Sequence, residues 1–245
     1  MDKLELRCKE CPRRAKAEYN DDTVRASLAR LEDTIIFALF ERVKFPLNPP
    51  TYDLLGDLVR ETEALQFEAH RYDNPEENPF FPENLPPFSA PEYPFTEFLQ
   101  GAGASININK EIWEVYFREL LPKFVKCGDD GNYAQTAFAD LTLLQAISKR
   151  IHYGKFFAEV RFKEARIICE PYIRAKDKEA LMKFLTTESV ENTVVMRRVE
   201  KKVMVFGREL SQEHDFKGDV SILYEKWLLP LTKKVQVEYL LKRLD

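Results

Sequence analysis

Two arginines eleven residues apart, Arg150 and Arg161, stand out chemically in this 245-residue chain. At about 3.6 residues per turn, eleven positions make roughly three turns, so on one helix both guanidinium groups leave the same face. A guanidinium is a rigid fork of donors suited to carboxylates, and two of them in a protein interior call for anions. Those anions could be carboxylates of neighbouring helices, or a ligand. Further candidates are Arg25 beside an early apolar stripe, Glu191 opening a later helical stretch, and Thr232 with Gln236. The last two are spaced i, i+4 and so share a helix face. Each residue alone reads most simply as a surface charge or an ion-pair partner, and composition and periodicity do not lift the group above that.

The elements that carry these residues read as helices. Residues 140–162, DLTLLQAISKRIHYGKFFAEVRF, lack proline and repeat apolar side chains at Leu141, Leu144, Ile147 and Ile151, which predicts one long helix. Gly154 lies in its middle. A mid-helix glycine costs about 1 kcal/mol against alanine, so a close neighbour is expected there. Val24, Leu28, Leu31, Ile35 and Leu39 predict a helix over 24–44, with Thr23 as its cap and Asn48, Pro49 and Pro50 ending it. Further helices are expected over 53–71, over 107–126 (capped by Asn107 or Asn109, kinked near Pro122), over 176–185 and over 188–206 (capped by Thr187). The last pattern, 220–244, is bent or divided around Pro230. Seven prolines between 75 and 94 exclude regular structure, while Phe80, Phe81, Phe88 and Tyr93 predict an ordered loop packed on the body. Residues 128–133 read as a turn and 207–219 as a loop. Alternating strands are absent. The expected class is all-α, a single-domain bundle of long helices with a proline-rich connecting loop and no significant β-sheet. A polar arm, 1–21, precedes a helical domain, 22–245.

Composition narrows the function. The formal net charge of -4 gives no basic footprint for nucleic acid. No apolar run approaches membrane-spanning length, and residues 1–20 carry neither a signal-peptide core nor the serine and threonine of a transit peptide, so a cytoplasmic protein is expected. Cys8 and Cys11 form a lone CxxC and read as ordinary thiols. The histidines at 70, 152 and 214 are scattered, His152 reads as structural, and no metal site is expected. Glycine-rich nucleotide loops, HExxH and GxSxG are all missing.

Several stretches together carry a resemblance: LARLEDTIIFALFERVKFPLN, RYDNPEENPFFPENLP, INKEIWEVYFRELLP, KCGDDGNY, SKRIHYGKFFAEVRF and LPLTKKVQVEYLLKRLD. The chain resembles the all-helical chorismate mutases of plants and fungi, and is closest to the plant branch. The resemblance spans about residues 24–245. It implies a cofactor-free isomerase that converts chorismate to prephenate by a unimolecular Claisen rearrangement, on the way to phenylalanine and tyrosine. Such a reaction needs a dicarboxylate held in a compact shape and donors aimed at the ether oxygen, where negative charge develops. By position, Arg25 and Arg150 match the carboxylate-clamping arginines, Glu191 the acid that accepts from the substrate hydroxyl, and Thr232 a polar wall residue. Arg161 stands where the family usually has lysine, and Gln236 where the plant and fungal branch usually has glutamate. Both face the ether oxygen in the family.

The resemblance also implies a homodimer with an aromatic amino acid effector site at its interface, matched here by Arg71 and Asn132. His70, Ala134 and Gln135 depart from regulated members, so effector control is expected to be weak. The competing reading is a homologue that has lost efficient catalysis and acts as a binding or regulatory protein, which the Arg161–Gln236 pair would decide.

Overall fold

The computed structural model describes residues 19–86, 98–186, 189–209 and 216–245. Phe88, Tyr93 and Thr187 lie outside them. Twelve α-helices and four short 3₁₀ or π turns make up the regular structure of the described residues, and none of these residues forms a strand. No helix among them is long and apolar enough to cross a membrane.

Helix α1 runs Asp21–Arg42, starting one residue before the expected domain boundary. Its cap is Asn20, not Thr23. Thr23 instead closes a capping box: its amide donates to Asn20 Oδ1 at 2.9 Å and its Oγ1 accepts from the Asn20 amide at 3.0 Å. Helix α2 is Thr51–Glu68. Among the described residues, the proline-rich stretch that follows has 3₁₀ turns at Arg71–Asp73 and Pro82–Asn84, and Phe80 and Phe81 pack on Trp113 as the aromatic content predicted.

The pattern over 107–126 divides. After α3, Gly101–Ala104, come α4, Asn109–Val115, a π turn at Tyr116–Leu120, and α5, Leu121–Phe124. Asn107 Oδ1 accepts from the Asn109 amide at 2.8 Å. Proline has no N–H and its ring clashes with the carbonyl four residues back. Widening the turn just before Pro122 to i→i+5 bonding relieves that clash, and the Leu121 amide accordingly donates to the Tyr116 carbonyl. The chain repeats the device before Pro230, with a π turn at Tyr224–Leu228.

The expected single helix over 140–162 is two. α6 is Tyr133–His152 and α7 is Gly154–Glu164. Tyr153 between them keeps helical dihedrals (φ −61°, ψ −17°), but the Phe156 amide donates to its carbonyl at 3.1 Å in a tightened three-residue turn. The pair lies at the centre, with α1 and α12 against it. α8, Arg166–Arg174, was not expected; it carries Pro171 in its interior. α9 is Lys178–Thr186 and α10 is Ser189–Glu209. Of the loop expected over 207–219, residues 207–209 belong to α10 and 216–219 to α11, Phe216–Leu223, while 210–215 lie outside the described residues. α12, Leu229–Lys242, closes the bundle.

A buried ion pair fixes α1 on α6. Arg42 Nε lies 2.5 Å from Asp140 Oδ1 with both side chains fully buried, and the Tyr116 hydroxyl donates to the same carboxylate at 2.6 Å. Removing one partner of such a pair costs about 3–5 kcal/mol, because the other charge is then stranded in the core.

Candidate functional site

Gly154 sets how closely α12 can come. A methyl group at this position would lie 2.9 Å from Thr232 Cγ2, 3.2 Å from the Thr232 carbonyl and 3.3 Å from Gln236 Cγ. The close neighbour expected for this glycine is therefore the very turn of α12 that carries both polar candidates. Only a residue without a side chain permits the approach, and it lays the Thr232–Gln236 face against the junction of α6 and α7.

Arg150 meets that face from the last turn of α6. It is 3% exposed, and its Nη1 donates to Thr232 Oγ1 at 3.3 Å. Its Nε has no partner, and no carboxylate pairs with it among the described residues. The nearby acid is Glu32 of α1, fully buried, but Arg198 and Lys202 of α10 already hold it, at 2.6 Å and 3.3 Å. Burial lowers the pKa of Arg150, with Tyr224 and Glu32 acting against that and Arg198 with it. Among the described residues this guanidinium has no carboxylate to meet its charge.

Arg25 sits in the first turns of α1, with its Nε 2.5 Å from Asp21 and its guanidinium over the Phe157 ring at 5.4 Å. Arg161 leaves α7 with Nη1 3.3 Å from Glu164, and its charge acts on Lys233 of α12. Arg150 thus meets α12 through Thr232, while Arg161 pairs along its own helix and its charge reaches α12 at Lys233. Glu191 lies in the first turn of α10, and its side chain is outside the described residues.

Five buried polar side-chain atoms among the described residues lack a hydrogen-bond partner: Asp21 Oδ1, Thr51 Oγ1, Arg150 Nε, Tyr224 Oη and Gln236 Oε1. Such atoms are rare in folded proteins and each asks for an explanation. All but Thr51 belong to a candidate residue or to a group acting on one, since Asp21 bonds Arg25 and Tyr224 faces Arg150. Those four orphans belong to α1, α6, α12 and the π turn before it. A shallow groove of about 350 Å³ on α10, lined by Arg197, Glu200, Lys201, Met204 and Val205, contains none of the candidates.

No family model matches the chain. Over 247 residues it is 51% identical to "Chorismate mutase 2" of Arabidopsis thaliana, covering 91% of this chain and 93% of that protein. It is 32% identical to the "Chorismate mutase" of Saccharomyces cerevisiae, covering 92% and 96%. The crystal structure of AtCM1 with tyrosine bound in its allosteric site matches the fold with a TM-score of 0.83 at 44% identity, over 92% of this chain and 97% of that one. The chain belongs to the chorismate mutase family.

For a chorismate mutase, the positions of the two departures are informative. Gln236 is 6% exposed, its Oε1 unpartnered, one turn beyond Thr232. Arg161, longer than the usual lysine, reaches back along its own helix to Glu164. The expected effector residues lie elsewhere. Arg71 follows α2 and gives Nε and Nη2 to Glu77 at 3.0 Å and 2.9 Å and Nη1 to Gln145 at 2.8 Å. Asn132 precedes α6, its amide held by Asp130 at 3.0 Å, with Ala134 and Gln135 in the exposed first turn of that helix. His70 adopts a left-handed conformation (φ 61°), its Nδ1 3.3 Å from Asp73.

Sequence reasoning missed Tyr224, Asp21, Glu32 and Lys233. Tyr224 precedes Thr232 by eight residues, whereas two α turns span about seven. The π turn takes up the additional residue, and nothing in the amphipathic pattern announces it.

Proposed function

We propose that this chain rearranges chorismate to prephenate, using Arg25 and Arg150 to hold the two substrate carboxylates. The observation that carries this reading is the unpaired Arg150 among orphaned buried polar atoms. A dicarboxylate would supply the missing anion, and guanidinium forks bind carboxylates bidentately. Thr232 would help orient Arg150, Arg161 and Gln236 would donate to the ether oxygen, and Glu191 would accept from the ring hydroxyl. The rearrangement is unimolecular, so its catalysis reduces to holding the reactive shape and stabilising the charge that develops. Incubation with chorismate tests this, with disappearance of chorismate and appearance of prephenate as the expected result.

The second reading, an impaired homologue with a binding or regulatory role, draws on Arg161 and Gln236. Prephenate formation no faster than in buffer, together with measurable chorismate binding, would establish it.

We also infer a homodimer, residues 22–245 as one catalytic domain behind a polar arm, and a cytoplasmic setting. The relatives include a cytosolic Zea mays protein at 44% identity and chloroplastic ones. Effector binding would involve Arg71 and Asn132. Light-scattering mass tests the dimer, and titration of tyrosine, phenylalanine and tryptophan into the assay tests the expected weak control.

A further inference from the structure

α12 meets α7 at two places. At the start of α7, Gly154 lets Thr232 and Gln236 come close. Further along both helices, the Glu159 carboxylate of α7 bonds α12 directly. Glu159 and Tyr239 are both fully buried. Glu159 Oε2 accepts from the Tyr239 hydroxyl at 2.6 Å and from Arg243 Nε at 2.8 Å. Its Oε1 accepts from Arg243 Nη2 at 3.1 Å, with Lys163 Nζ 3.6 Å away. The Arg243 guanidinium also lies over the Phe162 ring of α7 at 4.4 Å. Charge-assisted bonds of this kind are directional, and a buried carboxylate is costly to strand.

Tyr239 is gripped from a second side. Its hydroxyl accepts from the Gln100 amide at 3.1 Å. A methyl group on Gly103 of α3 would lie 2.8 Å from its ring and 3.2 Å from its carbonyl. α3 is tied in turn to α7, because buried Lys155 donates to the Ala104 carbonyl at 2.9 Å and to the Ile106 carbonyl at 3.0 Å. α7, α3 and Tyr239 thus close a ring of contacts on the turn of α12 that follows Gln236. The Gly154 contact limits how near α12 comes, but it supplies no directional bond to fix where along its axis the helix stops. The Glu159 bonds do supply one. Thr232, Gln236 and Tyr239 share one helix, so an axial slip at Tyr239 carries the polar face with it.

Resting on the reading of the site above, we propose that Glu159 is a positioning residue for the rearrangement. Through Tyr239 and Arg243 it sets where along α7 the Thr232–Gln236 face stops, and so where the Gln236 amide meets the ether oxygen. Arg25 and Arg150 stand on α1 and α6, outside this ring of contacts. Loosening it therefore slows the chemical step more than it weakens substrate binding, because charge on the ether oxygen develops only in the transition state.

The test uses Tyr239→Phe, which keeps the ring and removes the bond to Glu159, alone and combined with Gln236→Ala. kcat and KM for chorismate are measured well below the melting temperature of each variant. Misplacing a group by about 1 Å can cost about a hundredfold in rate, so Tyr239→Phe should lower kcat by roughly tenfold or more, with KM little changed. In the Gln236→Ala background the same substitution should change kcat little, because the group being positioned is gone. If Glu159 and Tyr239 only hold the fold together, Tyr239→Phe lowers the melting temperature and leaves kcat as it was, which overturns the proposal. A rise in KM without a loss of kcat overturns it too, as does a kcat loss undiminished in the Gln236→Ala background. If Gln236→Ala alone is too slow to assay, the split between kcat and KM decides. Should Tyr239→Phe fail to fold, Arg243→Lys, which keeps the charge but not the fork, is judged by the same outcomes. If the wild type consumes chorismate and the variants match it, only the Glu159 assignment falls. If the wild type consumes none, the reading of the site falls, and this inference with it.

Discussion

The Thr232 hydroxyl donates its proton to the Leu228 carbonyl, 2.6 Å away, and so meets Arg150, 3.3 Å away, purely as an acceptor. It orients the guanidinium without neutralising it. That leaves Arg150 with an unpartnered Nε and full demand for an anion, which makes stability and activity pull in opposite directions at this residue.

Arg150→Met should therefore lose catalysis and keep or gain stability. Leaving a substrate carboxylate unpaired costs about 2–5 kcal/mol, or roughly 30-fold to several thousand-fold in kcat/KM. An apolar residue of similar length removes a buried charge that lacks an anion. Kinetics and a thermal melt check both halves, and a melting temperature several degrees below wild type would contradict the second. Arg25→Ala should lower kcat/KM comparably with little change in fold.

Gly154→Ala sets two effects against each other. Alanine gains about 1 kcal/mol of helix propensity. Its methyl group would also sit 2.9 Å from Thr232 Cγ2 and 3.2 Å from a backbone carbonyl, and the latter yields only if α12 shifts. Overpacking of this kind costs about 1–3 kcal/mol, so the contact should win. The expected outcome is a lower melting temperature together with lower kcat/KM, since the displaced face carries Thr232 and Gln236. A more stable, fully active variant would show that α12 is not held against Gly154.

Lys155 and His152 should shape stability against pH. Lys155 is fully buried, donates to the carbonyls of Ala104 and Ile106, and is held down to about 7 by burial, with Glu76 acting the other way. Between about pH 7 and its unfolded value near 10.4, the unfolded chain binds that proton more readily, so stability should climb with pH in this window. Lys155→Met should flatten the climb. His152, held down to about 3 by burial and by Lys155, works the same way at lower pH. Its contribution is complete above about 6.5 and is lost as pH falls towards 3. Melting temperatures from pH 4 to 10 test both, and a wild-type curve falling between pH 7 and 9 would refute the Lys155 assignment.

Gln236 predicts the shape of the activity profile. Its amide donates at every accessible pH, so the donor it gives the ether oxygen does not titrate between about pH 5 and 7.5. Catalytic efficiency should be flat there. In Gln236→Glu the donor exists only while protonated, so activity should fall as pH rises. If Gln236 merely packs in α12, the substitution alters stability and the two profiles keep one shape.

Periodicity showed which of Arg150, Arg161, Thr232 and Gln236 could share a helix face, but their roles came from the family resemblance; Gly154 stood out because glycine is costly inside a helix. The junction at Tyr153 was not legible, since its backbone stays helical and only the hydrogen-bond pattern tightens. α8 was hidden by Pro171, which reads as a breaker. Glu32 and Lys233 look like ordinary surface charges along the chain. Only tertiary packing makes the first the occupied partner of Arg198 and brings the second to the Leu185 carbonyl.

The π turn at Tyr224–Leu228 has a consequence for how this polypeptide can change. It is in effect a single-residue insertion kept inside a helix, and it offsets the phase of everything before it by about 100° relative to α12. Deleting one residue there would leave Pro230, Thr232 and Gln236 in place, yet swing the Tyr224 ring away from Arg150. The helical register of α11 is thus an adjustable dial, separate from that of α12, on which one codon gained or lost re-aims a buried hydroxyl without altering any residue of the polar face.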